Sequence, residues 1–494
     1  MGNEESSSIY EKFARDTGIM TAVHIVTGLR SLVLLPIITK TLDAYSYGIW
    51  AQVTVTLLLV FPLCTLGLDY ALNRFLPGKT DKAEIREAFF SILLVVLGCS
   101  AVIAAAVMLL RNPIADALFG SADMAPVAAL MGGALLFRAI TSSCTNYFRA
   151  FRQTKTYAAL SIALEVGEIG LAAYLVLAGY GIEGAVTALL VVRAVIFLIA
   201  LALIIRQVGI RLPRFVNIRP YIGFSIPLMT LPLIWWILSW SDRYIITIFR
   251  DTAQVGIYSA AYVIGSACAI YMGPLTDLML ATLSKLYDEE RITEVKTILS
   301  RSLRYSLMLV IPSVFGVSVL GESLLRLFTT AEFTSVSSAL IPIIASAVAV
   351  FSIRNITVFG LLLTKNTKKI VIIYGASAII NVVINIILIP HIGIVGAAIA
   401  TLVSFAFASF IVTRLSLKSL PFYIDWPFLL KSLAASAAMA AVIWLAAPGG
   451  LAGVVLWIIA GAVIYFCLLL LLRGLTGEEI RSLWSLFKRA ILKR

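Results

Sequence analysis

Five arginines sit inside long apolar runs of this 494-residue chain: Arg30, Arg138, Arg193, Arg243 and Arg354. An arginine at the middle of a membrane helix costs at least about 2.5–3.5 kcal/mol on insertion scales, so it turns toward protein or water. A polar cavity inside a helical bundle follows. The guanidinium is a planar fork that binds anions through paired, charge-assisted hydrogen bonds. Arg30, Arg138 and Arg354 are the candidates for such contact. Each could equally lock onto a carboxylate or a helix-end carbonyl. Glu165 and Glu168 lie within another apolar run. With Tyr157 and Ser161 they form one polar helix face at i, i+4, i+8 and i+11. They suit the binding of a coupling proton or sodium ion, or compensation of the arginines.

The elements that must hold these residues are apolar helices. The chain is 61% hydrophobic and 13% charged, and its mean hydropathy is +1.00. Repeated apolar runs of about 20 residues mark an all-α polytopic membrane protein. Fourteen spans are predicted, at about 18–39, 46–68, 88–110, 124–147, 157–179, 182–205, 221–245, 254–281, 303–321, 337–363, 370–389, 393–413, 428–446 and 451–472. Close turns at Gly179-Tyr180-Gly181 and Pro390-His391-Ile392-Gly393 separate two of the pairs. The first run lacks a small-residue cleavage site and reads as a retained helix. The five cysteines fall within spans and are expected to be buried free thiols. The two histidines, His24 and His391, are too few for a metal cluster.

Charge placement sets the topology. With the N-terminus in the cytoplasm, 30 of the 39 Lys and Arg fall in cytoplasmic segments and 4 in outer ones. This asymmetry places both termini inside and accounts for the net charge of +13 without nucleic acid. The cytoplasmic stretches 75–87 and 283–300 are expected to form short surface helices. The tail, 474–494, is amphipathic and basic, with Leu483 and Trp484 against Lys488 and Arg489.

The first six spans resemble the next six. Asp43 and Tyr47-Gly48-Ile49-Trp50 match Asp251 and Val255-Gly256-Ile257-Tyr258 at an offset of 208, and Asp69 matches Asp277. Arg138 matches Arg354 at 216, Thr154-Lys155 matches Thr367-Lys368 at 213, and Gly181 with Ala185 matches Gly393 with Ala397 at 212. Glu168 then falls on Asn381. An even number of spans per unit makes the repeats parallel, so two lobes enclose a cavity and rock to give alternating access. The organisation is a cytoplasmic segment 1–17, an N-lobe 18–206, a linker 207–219, a C-lobe 220–415, two extra helices within 416–473, and the tail.

The motif Gly67-Leu68-Asp69 through Arg74-Phe75, after Tyr47-Gly48-Ile49-Trp50, resembles the opening of polysaccharide-type (Wzx-type) lipid-carrier flippases. These belong to the multidrug/oligosaccharidyl-lipid/polysaccharide exporter superfamily. Ser241-Asp242-Arg243-Tyr244 followed by Val255-Gly256-Ile257-Tyr258 is similar as well. The resemblance covers about residues 10–475. It implies a MATE-like parallel repeat plus two helices, moving an oligosaccharide on a polyprenyl or dolichyl diphosphate to the outer leaflet. The headgroup site would comprise Arg30, Arg138, Arg354, His24 and Trp236. Glu165, Glu168 and Asn381 would bind a coupling ion or compensate charge, and no other cofactor is implied. Asp69, Arg74, Asp242, Arg243, Asp277 and Lys285 would form gates, with Asp69 and Asp277 pairing to Arg74 and Lys285.

Two other functions compete. A multidrug or cation antiporter of the same superfamily would carry an acidic first helix, whereas residues 19–39 hold Arg30 and no carboxylate. A membrane glycosyltransferase would need acidic outer loops, and these are short, so an enzyme is not expected. The partners expected are the lipid-linked oligosaccharide, membrane lipids and glycan assembly enzymes. A monomer in the cell membrane suffices.

Overall fold

The computed structural model describes residue 23 and residues 26–216, 218–334, 336–446 and 449–475. His24, the segment 1–17 and residues 476–494 of the tail lie outside them. Helix α1 runs over 26–41. Helix α2, Ala44–Thr65, starts where the Asp43 carboxylate accepts the Ser46 N–H at 2.8 Å. It ends at the left-handed residues Leu66 and Gly67, and α3 spans Leu68–Phe75. Then come α4 (Lys82–Leu109), α5 (Arg111–Phe119) and α6 (Ala125–Ala150). Helices α7 (Thr154–Leu175) and α8 (Gly181–Val208) break at Gly179 and Gly181, with φ of 90° and 58°.

The second half opens with three short helices, α9 (Ile218–Leu228), α10 (Thr230–Trp240) and α11 (Asp242–Phe249). This segment reads as one span in sequence. Pro227 and Pro232 interrupt its hydrogen-bond ladder around Met229. The expected span 254–281 consists of α12 (Thr252–Ser266) and α13 (Met272–Asp288), bent by 44°. Helix α14 runs unbroken from Ile292 to Phe328, so 292–300 is not a separate surface helix. Buried Val295, Leu299, Leu303 and Leu307 carry the core stripe through the charged stretch. Then follow α15 (Ser337–Thr357), α16 (Phe359–Leu363), α17 (Thr367–Ile392) and α18 (Ile394–Ser419). The break between the last two falls at Gly393 (φ 62°); Pro390 and His391 stay helical.

Helices α19 (Trp426–Ala446) and α20 (Gly450–Leu471) pack on α14 and on each other. Arg304 of α14 fastens this pair. It bridges to Asp425, lies 4.6 Å from the Phe428 ring centre and donates to the Gly474 carbonyl at 2.8 Å. Among the described residues, eleven helical stretches are long and apolar enough to cross a membrane, or twelve with the bent pair. The stretch Thr154–Val208 contains both α7 and α8. The protein is an all-helical, multi-pass membrane protein. Of the cysteines, Cys64, Cys144 and Cys268 are buried free thiols, but Cys99 is half-buried and Cys467 exposed. The last two lie on apolar helices with a face left uncovered by protein.

Helices α2 and α12, whose sequences match at an offset of 208, cross each other. Asp251 caps α12 by accepting the Gln254 N–H at 2.7 Å, as Asp43 caps α2. A Cβ on Gly48 would sit 1.9 Å from the Thr252 carbonyl oxygen, and one on Gly256 would sit 2.1 Å from that of Ala44. The two backbones meet through repeat-related glycines. Around them Thr252 donates to the Phe119 carbonyl at 2.9 Å, and the Ala44 N–H to Glu332 at 3.2 Å. Gly256→Val is expected to cost at least about 1–3 kcal/mol through overpacking, read as a lower unfolding midpoint in detergent. An equal change at exposed Gly78, with open space beside it, is expected to leave the midpoint in place.

Candidate functional site

Helices α1, α6, α7 and α8 assemble a charge cluster from the first half of the chain. Arg30 Nη1 lies 2.7 Å from the Glu168 carboxylate and 3.5 Å from that of Glu165. Arg193 Nε donates to the other Glu168 oxygen at 2.6 Å. Glu168 is fully buried and Arg193 is 3% exposed. The backbone at Arg193 is held by Thr141 of α6, which donates to its carbonyl at 3.0 Å. Arg138, one turn earlier on α6, stacks over the Phe61 ring at 5.1 Å and makes no ion pair with the described residues. It stands within electrostatic reach of Arg193, Glu168, Arg30 and Glu165. Three cations thus face two anions, and Arg138 is the charge left over.

Arg193 carries a role that sequence reasoning missed. It bears the same mark as Arg30, a cation within an apolar span, but its counterpart in the repeat is Phe405. Its place within an apolar span was the signal that could have found it. Arg354, the repeat counterpart of Arg138, has different surroundings. Its guanidinium is 3.6 Å from the Phe351 ring centre, 4.9 Å from Tyr374 and 5.4 Å from Trp235, and it donates to the Tyr374 hydroxyl. These partners all come from the second half. Asn381 and Asn385 are buried side by side, joined by a 2.9 Å hydrogen bond.

The model for the polysaccharide biosynthesis protein family matches residues 13–286. The chain belongs to that family. It is 29% identical over 256 residues to the probable flippase AglR of Haloferax volcanii, covering 50% of this chain and 53% of that one. It is 28% identical over 198 residues to the probable low-salt glycan biosynthesis flippase Agl15 of the same organism, covering 40% and 42%. The chain thus spans about half the length of the curated relatives it matches. The fold is similar to that of the lipid II flippase MurJ in an inward closed conformation, with TM-score 0.71 at 17% identity over 97% of this chain and 100% of that one. It is also similar to an inward-facing multidrug resistance MATE family transporter of the MOP superfamily, at 0.60 and 15% over 81% and 94%.

The remaining candidates of this polysaccharide biosynthesis protein scatter over both halves. Asp69 does not turn to Arg74, which is exposed; it accepts from Ser142 at 3.1 Å and Ser143 at 3.5 Å. Lys285 lies 3.9 Å from Glu289, and Asp277 is exposed on α13. Asp242 and Arg243 form a buried pair at 2.7 Å, to which Tyr258 donates at 2.6 Å. Gln52 of α2 donates to the Arg243 carbonyl at 3.1 Å, so this pair sits where the halves meet. Trp236 is buried and donates its indole N–H to the Val55 carbonyl at 2.8 Å. That bond ties α10 to α2, and the side chain as a whole is 7% exposed.

Two cavities complete the site. A chamber of about 450 Å³ lies between the halves, walled by α1, α2, α10, α11, α12, α15 and α18. An apolar groove of about 750 Å³ runs along α1, α12, α14, α19 and α20.

Proposed function

We propose that the protein is a flippase moving an oligosaccharide on a polyprenyl or dolichyl diphosphate from the cytoplasmic to the outer leaflet by alternating access. The observation that carries this reading is the cluster of Arg30, Arg138 and Arg193 within apolar helices, with one cation in excess. An excess cation at membrane depth fits an anionic headgroup. The named flippases to which the chain is similar support the reading. Fourteen crossings in two six-helix lobes, with α19 and α20 as the extra pair and both termini in the cytoplasm, complete it. The apolar groove beside α19 and α20 suits the carrier's hydrocarbon chain. No bond is made or broken. A coupling proton or sodium ion would act at Glu165, Glu168 or Asn381. The protein would work in the cell membrane as a monomer, supplied by glycan assembly enzymes.

The test is a leaflet assay in cells lacking the protein. Diphosphate-linked glycan is expected to be trapped on the cytoplasmic side and to be released from it on re-expression of the wild type. No trapping, with lost resistance to cationic drugs instead, would replace the flippase with an antiporter.

A further inference from the structure

We propose that residues 209–216, in the segment joining the two halves, form a docking surface for an anionic lipid leaflet, with their apolar side chains among the acyl chains and their arginines on the phosphates. This goes beyond the flippase reading and takes from it only that α8 ends on the cytoplasmic side. Ile210, Leu212, Phe215 and Val216 all lie exposed, Leu212 at 83% and Ile210 at 70%. They belong to no span. Helix α8 stops at Val208, and Gly209 turns the chain with a φ of 75°. Pro213 lacks the N–H that a resumed helix would use, and α9 starts only at Ile218. A run of uncovered apolar side chains marks contact with a membrane or a partner.

Four exposed arginines accompany them, Arg206, Arg211, Arg214 and Arg219. The chain holds no acidic residue between Glu183 and Asp242. None of the four guanidinium groups has a hydrogen-bond or ion-pair partner among the described residues. The carboxylates of α4 that stand by Val216 are already engaged. Glu87 accepts the Arg214 backbone N–H at 2.7 Å and the Ser91 hydroxyl at 3.3 Å, and Glu84 holds Lys79 at 3.0 Å. Arg86 donates to the Val208 carbonyl at 3.4 Å, so α4 pins the segment at both ends. Phe215 adopts a left-handed φ of 58°, uncommon for a bulky residue, and its carbonyl accepts the Ile218 N–H at 3.3 Å. The backbone is thus held while the apolar and cationic side chains stay uncovered.

Depth selects the leaflet over a protein partner. The 28 residues of α8 rise about 42 Å, the thickness of a bilayer with its headgroup layers. Exposed Val195, Leu198 and Ile199 already give α8 an uncovered apolar face. The segment therefore leaves α8 at headgroup level, where apolar side chains reach acyl chains and arginines reach phosphates. A zwitterionic leaflet offers only the apolar part of that contact, and an anionic one offers both.

The experiment places one nitroxide label on the full-length protein in lipid vesicles. Leu212→Cys is labelled in a background of Cys99→Ser and Cys467→Ser, the two cysteines that are not buried. Gly78→Cys, exposed on another loop with open space beside it, is the control. Depth is read from relaxation by oxygen, which concentrates in the bilayer, against relaxation by a water-soluble nickel chelate. In vesicles of two parts phosphatidylcholine to one part phosphatidylglycerol, oxygen is expected to relax the Leu212 label and nickel the Gly78 label. Arg211→Gln/Arg214→Gln is expected to lower the ratio of inserted to withdrawn Leu212 label about 30-fold, the effect of two arginines at an anionic surface. Vesicles of phosphatidylcholine alone should give a similar loss with both arginines in place. Arg214→Gln keeps the backbone bond to Glu87, and an unchanged unfolding midpoint in detergent checks the fold. A Leu212 label as open to nickel as the Gly78 label in the mixed vesicles would overturn the proposal. So would insertion that neither lipid charge nor the arginines alter. Shielding of the label in native membrane vesicles but not in the mixed lipid ones would assign the surface to a protein partner instead.

Discussion

Glu168→Ala is expected to lower the stability of the protein by about 3–5 kcal/mol, the cost of breaking a buried ion pair by removing one partner. Glu168 is the shared anion of Arg30 and Arg193, at 2.7 and 2.6 Å, and no part of it reaches solvent. Its removal strands Arg193, itself 3% exposed, in a low-dielectric bundle. Glu165→Ala should cost far less. Its link to Arg30 is longer, at 3.5 Å, and both side chains are partly exposed, at 14% and 18%. The measurement is the unfolding midpoint of each variant in detergent, with folded yield by size exclusion. Glu168→Ala/Arg193→Met should recover much of the loss, because it removes the stranded charge together with its former partner. Equal losses for the two glutamates, or no recovery in the double variant, would mean that Glu168 does not organise the cluster.

This ranking of the two glutamates could not be read from the sequence, although their shared face could. Spacing along one helix fixes which residues point together, but not which cation crosses from another helix to meet them. The same limit explains Asp69. Sequence reasoning sought its partner nearby at Arg74, whereas Ser142 and Ser143 reach it from α6, more than 70 positions away. Among the tryptophans the difficulty is one of phase. One residue turns a helix by about 100°, and the breaks near Pro227 and Pro232 erase the frame from which to count. Spacing alone therefore does not tell Trp236 from Trp235 or Trp240. What the sequence carried well were features written in long runs or in pairs. The apolar spans and the matched positions Asp43 with Asp251 and Gly48 with Gly256 needed only composition and a near-constant offset. The continuity of α14 into 292–300 was hidden because charged residues alternate there with its buried stripe.

Arg138→Ala is expected to weaken binding of farnesyl diphosphate about 10- to 150-fold with little change in stability. The size follows from removing hydrogen bonds to a charged group, each worth about 1.5–3 kcal/mol. The spared stability follows from the geometry. Arg138 lies over Phe61 at 5.1 Å, its Nε has no hydrogen-bond partner among the described residues, and no carboxylate is stranded when it goes. Arg193→Ala makes the contrast, since it takes away one of the two partners of Glu168 and should unsettle the fold as well as the ligand. Arg138→Lys should restore only part of the affinity, because a point charge cannot reproduce the paired hydrogen bonds of the guanidinium fork. Binding isotherms and unfolding midpoints on the same preparations separate these outcomes. If Arg138→Ala binds as the wild type does, the excess cation is not the anchor. The diphosphate would then have to draw Arg30 away from Glu165 and Glu168, and Arg30→Ala would carry the whole loss.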